Sequence, residues 1–214
     1  MSKRLLTLLC TFAILFSFAA CSSLKEKEDD PTTKKKDTTT KPTGQEENPE
    51  DPGSSGGAPY ADAVKTYEKY LNGNGAVLED MAPPELWRAF EEEEGESLEE
   101  YIAYYEEEYE ESLSEFYAGT YGDDYKFTLT VIDEEECDED TVRQLENILE
   151  ERYDISLKNV ESAYFLTGTV KISGSKKRFS DTGDLATIQI NGKWYLLYCD
   201  EYDGELYADF IVFD

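Results

Sequence analysis

Histidine is absent from this chain of 214 residues. Since the imidazole is the base in Ser-His-Asp and Cys-His catalysis, its absence excludes both of these mechanisms. The commonest protein ligand of zinc is missing as well. No acidic segment has the alternating spacing of a calcium-binding loop. We therefore predict no metal site and no cofactor.

Basic residues are scarce. The chain has 20 Lys and Arg against 49 Asp and Glu, for a formal net charge of −29. Contacts to phosphates need Lys and Arg, so this balance excludes a nucleic-acid partner. Two interpretations of the acidity stay open: it keeps the protein soluble through self-repulsion, or it attracts a cation or a basic partner.

Long apolar runs are missing apart from Leu5–Phe18, which follows the basic pair Lys3 and Arg4. A basic start, an apolar run and small residues after it are typical of a secretory signal peptide. The run is shorter than the roughly 20 residues that span a bilayer. We predict that residues 1–20 are a cleaved signal peptide.

The end of that segment, Phe18-Ala19-Ala20-Cys21, resembles the lipobox of bacterial lipoproteins. The resemblance implies cleavage between Ala20 and Cys21 and attachment of acyl chains at the Cys21 thiol, although Phe18 stands where leucine is usual. Two or three chains hold a protein stably on a bilayer, whereas one does not. The protein is then expected on the extracytoplasmic side of the cell membrane. A plain signal peptide, with Cys21 as a bystander, is the alternative.

Cysteine is rare in this chain, and only Cys137 and Cys199 follow Cys21. Outside the cytosol such a pair can oxidise to a disulfide. A disulfide between Cys137 and Cys199 would close a long loop and stabilise the folded protein by about 4 kcal/mol in the chain-entropy model. Two separate buried thiols are the other interpretation, and the sequence does not decide between them.

Residues 21–58 are rich in Lys, Glu, Asp, Thr, Pro, Gly and Ser, with Leu24 as the one large apolar residue. Such a composition buries too little surface to offset chain entropy. We predict a disordered linker between Cys21 and one folded domain at residues 59–214.

In the first half of that domain, apolar residues recur with the spacing of an α-helix. Predicted helices cover Pro59–Leu71 and Met81–Glu94, and a longer one runs from the Ser97–Glu100 capping box to about Phe116. The tyrosines of this long helix, Tyr101, Tyr105 and Tyr109, are predicted to be core. A fourth helix begins at Asp138 or Asp140.

The second half has the period of two that is typical of strands. Predicted strands are Tyr125–Val131, Tyr164–Ile172 with a bulge at Gly168, Leu185–Ile190, Lys193–Cys199 and Leu206–Val212. Asn191-Gly192 predicts a tight hairpin, Asp203-Gly204 another reversal, and 173–183 a loop with the basic cluster Lys176–Arg178. Helices followed by an antiparallel meander indicate an α+β fold.

Two segments, Tyr125–Leu129 and Ile188–Leu196, together with the acidic helix between them, are similar to the nuclear transport factor 2-like (cystatin-like) superfamily. The resemblance implies helices packed on a curved, mainly antiparallel sheet that forms a cone. The resemblance covers roughly residues 60–200 and extends to uncharacterised lipoprotein domains of Gram-positive bacteria.

The function expected from these features is a binding or interaction module whose ligand is cationic or small and polar. The family resemblance implies an alternative, a small enzyme of the ketosteroid-isomerase type that uses a pocket carboxylate and tyrosine donors. A two-lobed solute-binding protein is excluded by size. The acidic segments Asp133–Asp140 and Asp200–Glu205 are predicted to be solvated charge runs rather than metal sites.

Overall fold

A computed structural model of the protein describes residues 57–202 and 204–212. The predicted signal peptide, the predicted lipid attachment site Cys21 and the predicted linker up to residue 56 lie outside the described residues. The described part combines helices with a five-stranded antiparallel sheet that does not close into a barrel, and this confirms the predicted α+β class.

Within residues 57–212, five α-helices of the described part precede or interrupt the sheet. They are α1 (Ala61–Leu71), α2 (Pro84–Glu94), α3 (Leu98–Glu108), α4 (Ser114–Tyr121) and α5 (Glu139–Tyr153). The strands are β1 (Lys126–Glu136), β2 (Val160–Ser173), β3 (Arg178–Ile190), β4 (Lys193–Tyr202) and β5 (Glu205–Phe210), and they lie side by side in chain order. A short 3₁₀ helix, Gly75–Asp80, connects α1 to α2.

The predicted helix ends are largely confirmed by their capping groups. Ser97 and Glu100 form a reciprocal capping box, in which the Ser97 N–H donates to Glu100 Oε2 at 2.8 Å. At α5 the Asp138 carboxylate accepts the Thr141 N–H at 2.8 Å, so Asp138 rather than Asp140 is the cap. Gly95 ends α2 in the left-handed region, at φ 72°.

The predicted long helix after Ser97 is not continuous. A π-helical segment, Tyr109–Leu113, separates α3 from α4. The extra residue that a π turn inserts changes which side chains face inward. Tyr105 before this segment and Tyr117 after it therefore both face the core and are buried.

Four strands, β1 to β4, are longer than predicted, and the extensions of β1 and β3 cover polar residues. β1 continues through the acidic residues Asp133–Glu136, which were expected to be a solvated connection. β3 begins at Arg178, so the predicted loop 173–183 shrinks to four residues. Pairing with β2 over its whole length explains both extensions, because backbone hydrogen bonds override the polar composition of these stretches.

A bulge was predicted at Gly168 in β2, but the structure has the bulge in the neighbouring strand β1. Gly168 pairs with Val131, and the next pair is Thr167 with Asp133, so the extra residue is Ile132 in β1. Gly168 is small for a packing reason, since an added Cβ would lie 2.9 Å from Leu185 Cδ1.

The hydrophobic core lies between the sheet and its helices. α1 packs on β1 and β4, and α5 packs on β2 and β5. The predicted Asn191-Gly192 hairpin is confirmed, with both residues at positive φ (52° and 76°) as a type I′ turn requires. No helix among the described residues has the length and hydropathy needed to cross a bilayer.

Candidate functional site

A groove of about 310 Å³ lies between the end of β1 and the β4–β5 hairpin. Its walls carry six carboxylates and its apolar residues come from β2, β3 and β5. The acidic residues are Asp133, Glu134, Glu135, Asp184, Asp200 and Glu201. The remaining residues are Phe165, Leu166, Leu185, Leu206, Thr167 and Cys199.

Strand pairing places two of these carboxylates on the same face of the sheet. Asp133 pairs with Thr167, and Thr167 pairs with Asp184, so the two aspartates flank one threonine. The Thr167 hydroxyl donates to Asp184 Oδ1 at 3.5 Å. Two strand spacings separate the aspartates by roughly 10 Å. That is about one Debye length at 0.1 M salt, so their fields add inside the groove.

The groove is lined by residues of two acidic segments that are far apart in the sequence. Asp133–Glu135 comes from the first acidic run, and Asp200 and Glu201 come from the second. Strands β1 and β4 are not neighbours in the sheet, and residues of β2 and β3 line the groove between them. Prediction from sequence missed Asp184, because it lies in the part of β3 that precedes the predicted strand Leu185–Ile190.

The groove contains no basic residue among its described lining, so its negative charge has no internal counterion. No three Asp, Glu or Cys side chains of the described residues are close enough together to hold one metal ion. The carboxylates are therefore spread along the walls, and an extended cation matches that spacing better than a compact one.

The two cysteines that could form a disulfide are free thiols in the structure. Burial, and then the negative charges of Cys137, Asp200 and Asp184, raise the pKa of Cys199 to about 12. Burial raises the pKa of Cys137 to about 11. Both thiols are thus protonated at neutral pH and weak nucleophiles. The bridge stays a prediction, which thiol titration of the unreduced protein tests.

Tyrosine hydroxyls of the predicted stripe form hydrogen bonds with other groups of the protein. Tyr105 donates to the Tyr70 carbonyl at 2.6 Å, and Tyr109 shares a 2.9 Å hydrogen bond with Tyr125. Burial raises the pKa of Tyr105. The predicted tyrosine stripe therefore contributes to the core at Tyr105, and its hydroxyl is not directed at an open pocket.

Space beneath α1 is small. The gap between α1 and β4 that is lined by Ala63, Tyr67 and Leu196 holds about 10 Å³, roughly the space of one water. The fully buried carboxylate Asp209 is paired with Arg152 and accepts a hydrogen bond from Tyr153. These features belong to a packed interior.

The basic cluster lies away from the groove and is partly committed to structure. Lys176 Nζ donates to the carbonyls of Ala118 and Gly119 at 3.0 and 3.3 Å, at the end of α4. Lys177 Nζ lies 5.9 Å from the centre of the Tyr121 ring. These contacts make Lys176 a helix cap.

No protein-family model, curated protein or solved structure matches this chain. The resemblances to the lipobox and to the nuclear transport factor 2-like superfamily stay predictions, and any function has to be argued from the groove.

Proposed function

We propose that this protein is a lipid-anchored extracytoplasmic binding module whose acidic groove takes a cationic ligand. The observation that supports the proposal is the groove itself, with six carboxylates around apolar side chains and no basic residue in its described lining. Anchoring rests on the sequence of the lipobox and on Cys21.

The chemistry of the groove favours a ligand that alternates charged and apolar parts. Ammonium or guanidinium groups would meet Asp133, Asp184 and Glu201, while methylene stems would lie on Phe165 and Leu206. Each buried methylene adds about 0.8 kcal/mol to binding. Charge pairs at the rim add less than about 1 kcal/mol each and mainly speed association.

Spermine, a linear polyamine, is the simplest probe of this groove. We expect isothermal titration at 0.1 M salt to show binding to the full chain, and the double variant Asp184→Asn with Glu201→Gln to weaken it at least tenfold. A matched control is Glu92→Gln with Glu93→Gln, which removes the same charge from exposed positions on α2. Equal weakening by both variants would show that the affinity for spermine depends on net charge alone, and the proposal would be wrong.

Anchoring is tested separately in cells that secrete the protein. Cys21→Ser is expected to release the chain from the membrane fraction into the medium, because the thiol that carries the acyl chains is lost. Cys10→Ser, which changes a residue inside the predicted signal peptide, is the control and should leave the protein on the membrane. Retention of the Cys21 variant would contradict the anchor.

The ketosteroid-isomerase alternative needs a carboxylate base and tyrosine donors around an enclosed cavity. The described core instead has its buried carboxylate, Asp209, paired with Arg152, and its space under α1 filled. No observation favours this alternative over the binding module.

A further inference from the structure

We propose that the acidic groove is one end of a peptide-binding edge, where an extended peptide adds to β3 as a further strand and its basic end enters the groove. This inference rests on the proposed function, because it names the class of cation that the groove takes. The observation that carries it is a gap in the sheet between the diverging ends of β3 and β4.

β3 and β4 are paired over only part of their lengths. The pairing ends with Leu185 and Tyr198. β3 begins earlier, at Arg178, and β4 continues beyond Tyr198 as the neighbour of β5 alone. Within the described part of the chain, residues 178–184 of β3 therefore pair with β2 on one side and with no strand on the other.

The groove lies at the mouth of this gap, because its lining includes the residues at which the two strands part. From β3 these are Asp184 and Leu185, and from β4 they are Cys199, Asp200 and Glu201. A peptide that follows the unpaired edge of β3 toward its paired part therefore reaches the carboxylates of the groove with one end. This continuity joins the edge to the proposed cation site.

The unpaired edge of β3 presents main-chain groups at every second residue. At the turn between β2 and β3, the Gly174 N–H donates to the Lys177 carbonyl at 3.1 Å, so these two residues form a hydrogen-bonded pair. Alternation along the antiparallel ladder from this pair directs the N–H and C=O of the even-numbered residues of β3 away from β2. In the unpaired stretch these residues include Arg178, Ser180 and Thr182.

The outward main-chain groups are available to a ligand. The Thr182 N–H donates to Oδ1 of the adjacent Asp181 at 3.0 Å, which is a local contact. Among the residues that the structure describes, the outward groups of Arg178 and Ser180 have no hydrogen-bond partner. All three outward residues are exposed. An unpaired strand edge is a template for a further strand, and the main-chain bonds of strand addition supply its affinity.

Arg178 and Asp184 select the direction of the added strand. They lie at the two ends of the unpaired stretch, and both are exposed. Because an even number of residues separates them, their side chains lie on the same face of the sheet. An antiparallel peptide with Lys opposite Asp184 and Glu opposite Arg178 has a cross-strand pair of opposite charges at each end. Its Lys end is the end that enters the groove.

A second copy of the chain is a poorer occupant of this edge than a peptide. Each copy carries a formal net charge of −29, so two copies repel each other. A peptide of zero net charge avoids that repulsion, and its binding then reports main-chain pairing and the two end charges.

The test uses the capped peptide Lys-Val-Thr-Val-Thr-Val-Glu and two analogues that each carry three backbone N-methyl groups. One analogue is methylated at the third, fifth and seventh positions, which lie opposite Thr182, Ser180 and Arg178, so it cannot donate to β3. The matched control is methylated at the second, fourth and sixth positions, whose N–H groups point away from β3. In isothermal titration with the full chain, we expect the first analogue to bind at least tenfold more weakly than the parent peptide, and the control within threefold of it.

Amide hydrogen exchange gives a second readout on the unaltered protein. We expect exchange at Ser180 and Thr182 to slow at least tenfold with the parent peptide, because their N–H groups gain acceptors. Spermine has no main chain to pair, so it should leave exchange at both residues unchanged. We also expect the Asp184→Asn with Glu201→Gln variant to weaken binding of the parent peptide, since its Lys enters the groove.

No binding of the parent peptide, or equal affinity of the two methylated analogues with unchanged exchange at Ser180, would overturn strand addition. If spermine still bound and still depended on Asp184 and Glu201, the proposed function would stand without this inference. If spermine bound no better than to the Asp184→Asn with Glu201→Gln variant, the proposed function would fail as well. A dimer in sedimentation with Ser180 protected in the absence of peptide would assign the edge to a second copy and would also overturn the inference.

Discussion

The side-chain amide of Asn72 takes the place of a neighbouring strand for Phe127. Its Nδ2 donates to the Phe127 carbonyl at 3.0 Å, and its Oδ1 accepts the Phe127 N–H at 3.0 Å. Asn72 lies at the end of α1, so one side chain joins the first helix to the exposed edge of the sheet.

Replacing Asn72 by Ala removes both bonds and leaves two main-chain groups of Phe127 without a protein partner. We expect the free energy of unfolding to fall by about 1–3 kcal/mol, as measured by urea denaturation. Asn74→Ala is the control, since the Asn74 side chain caps nothing, and it should change stability by less than about 0.5 kcal/mol. Equal effects of the two substitutions would show that the amide bonds to Phe127 contribute nothing.

Much of the helical architecture could be predicted because its determinants are local. The Ser97–Glu100 capping box and the Asn191-Gly192 turn each act within four residues, and both are confirmed. The extension of β1 through Asp133–Glu136 was not predicted, because its cause is pairing with a strand about 30 residues later. The groove was missed for the same reason. Its acidic residues come from two runs that are more than 60 residues apart in the sequence and meet only through the pairing of the strands between them.

The buried carboxylate Asp209 depends on Arg152. Asp209 is fully buried, and its ion pair with Arg152 joins the end of α5 to β5. Arg152→Leu leaves that charge in the interior without its cationic partner, so we expect a loss of about 3 kcal/mol in the free energy of unfolding. Arg143→Leu removes an exposed pair on the same helix and should cost less than about 1 kcal/mol. A loss no larger than that of the control would contradict a buried ion pair.

Thr187 is fully buried, and its hydroxyl has no hydrogen-bond partner among the described residues. Valine has the same shape without the polar atom. We therefore expect Thr187→Val to raise the free energy of unfolding by about 1 kcal/mol, measured by the shift of the urea midpoint at constant slope. A destabilised variant would indicate that the hydroxyl is hydrogen-bonded in the folded protein.

The thiols of Cys199, which is buried, and Cys137, which is half-buried, make stability depend on pH in the alkaline range. Burial raises the pKa of Cys137 to about 11 and that of Cys199 to about 12, whereas the unfolded chain releases these protons near pH 8.5. Between those values the folded state binds more protons, so the free energy of unfolding falls as the pH rises from about 8 to 11. In urea denaturation at pH 7, 9 and 10.5, the double variant Cys137→Ala with Cys199→Ala should show a shallower decline. Identical slopes for the two proteins would contradict the burial of the thiols.

The central claim is that the acidic groove binds cations through its own geometry rather than through the net charge of the chain. Isothermal titration of spermine into the full chain at 0.1 M salt tests it most directly, with the Asp184→Asn and Glu201→Gln pair compared with the Glu92→Gln and Glu93→Gln pair. The account predicts at least a tenfold loss of affinity for the first pair and less than a twofold loss for the second. Equal losses, or no binding to the unaltered protein, would contradict it.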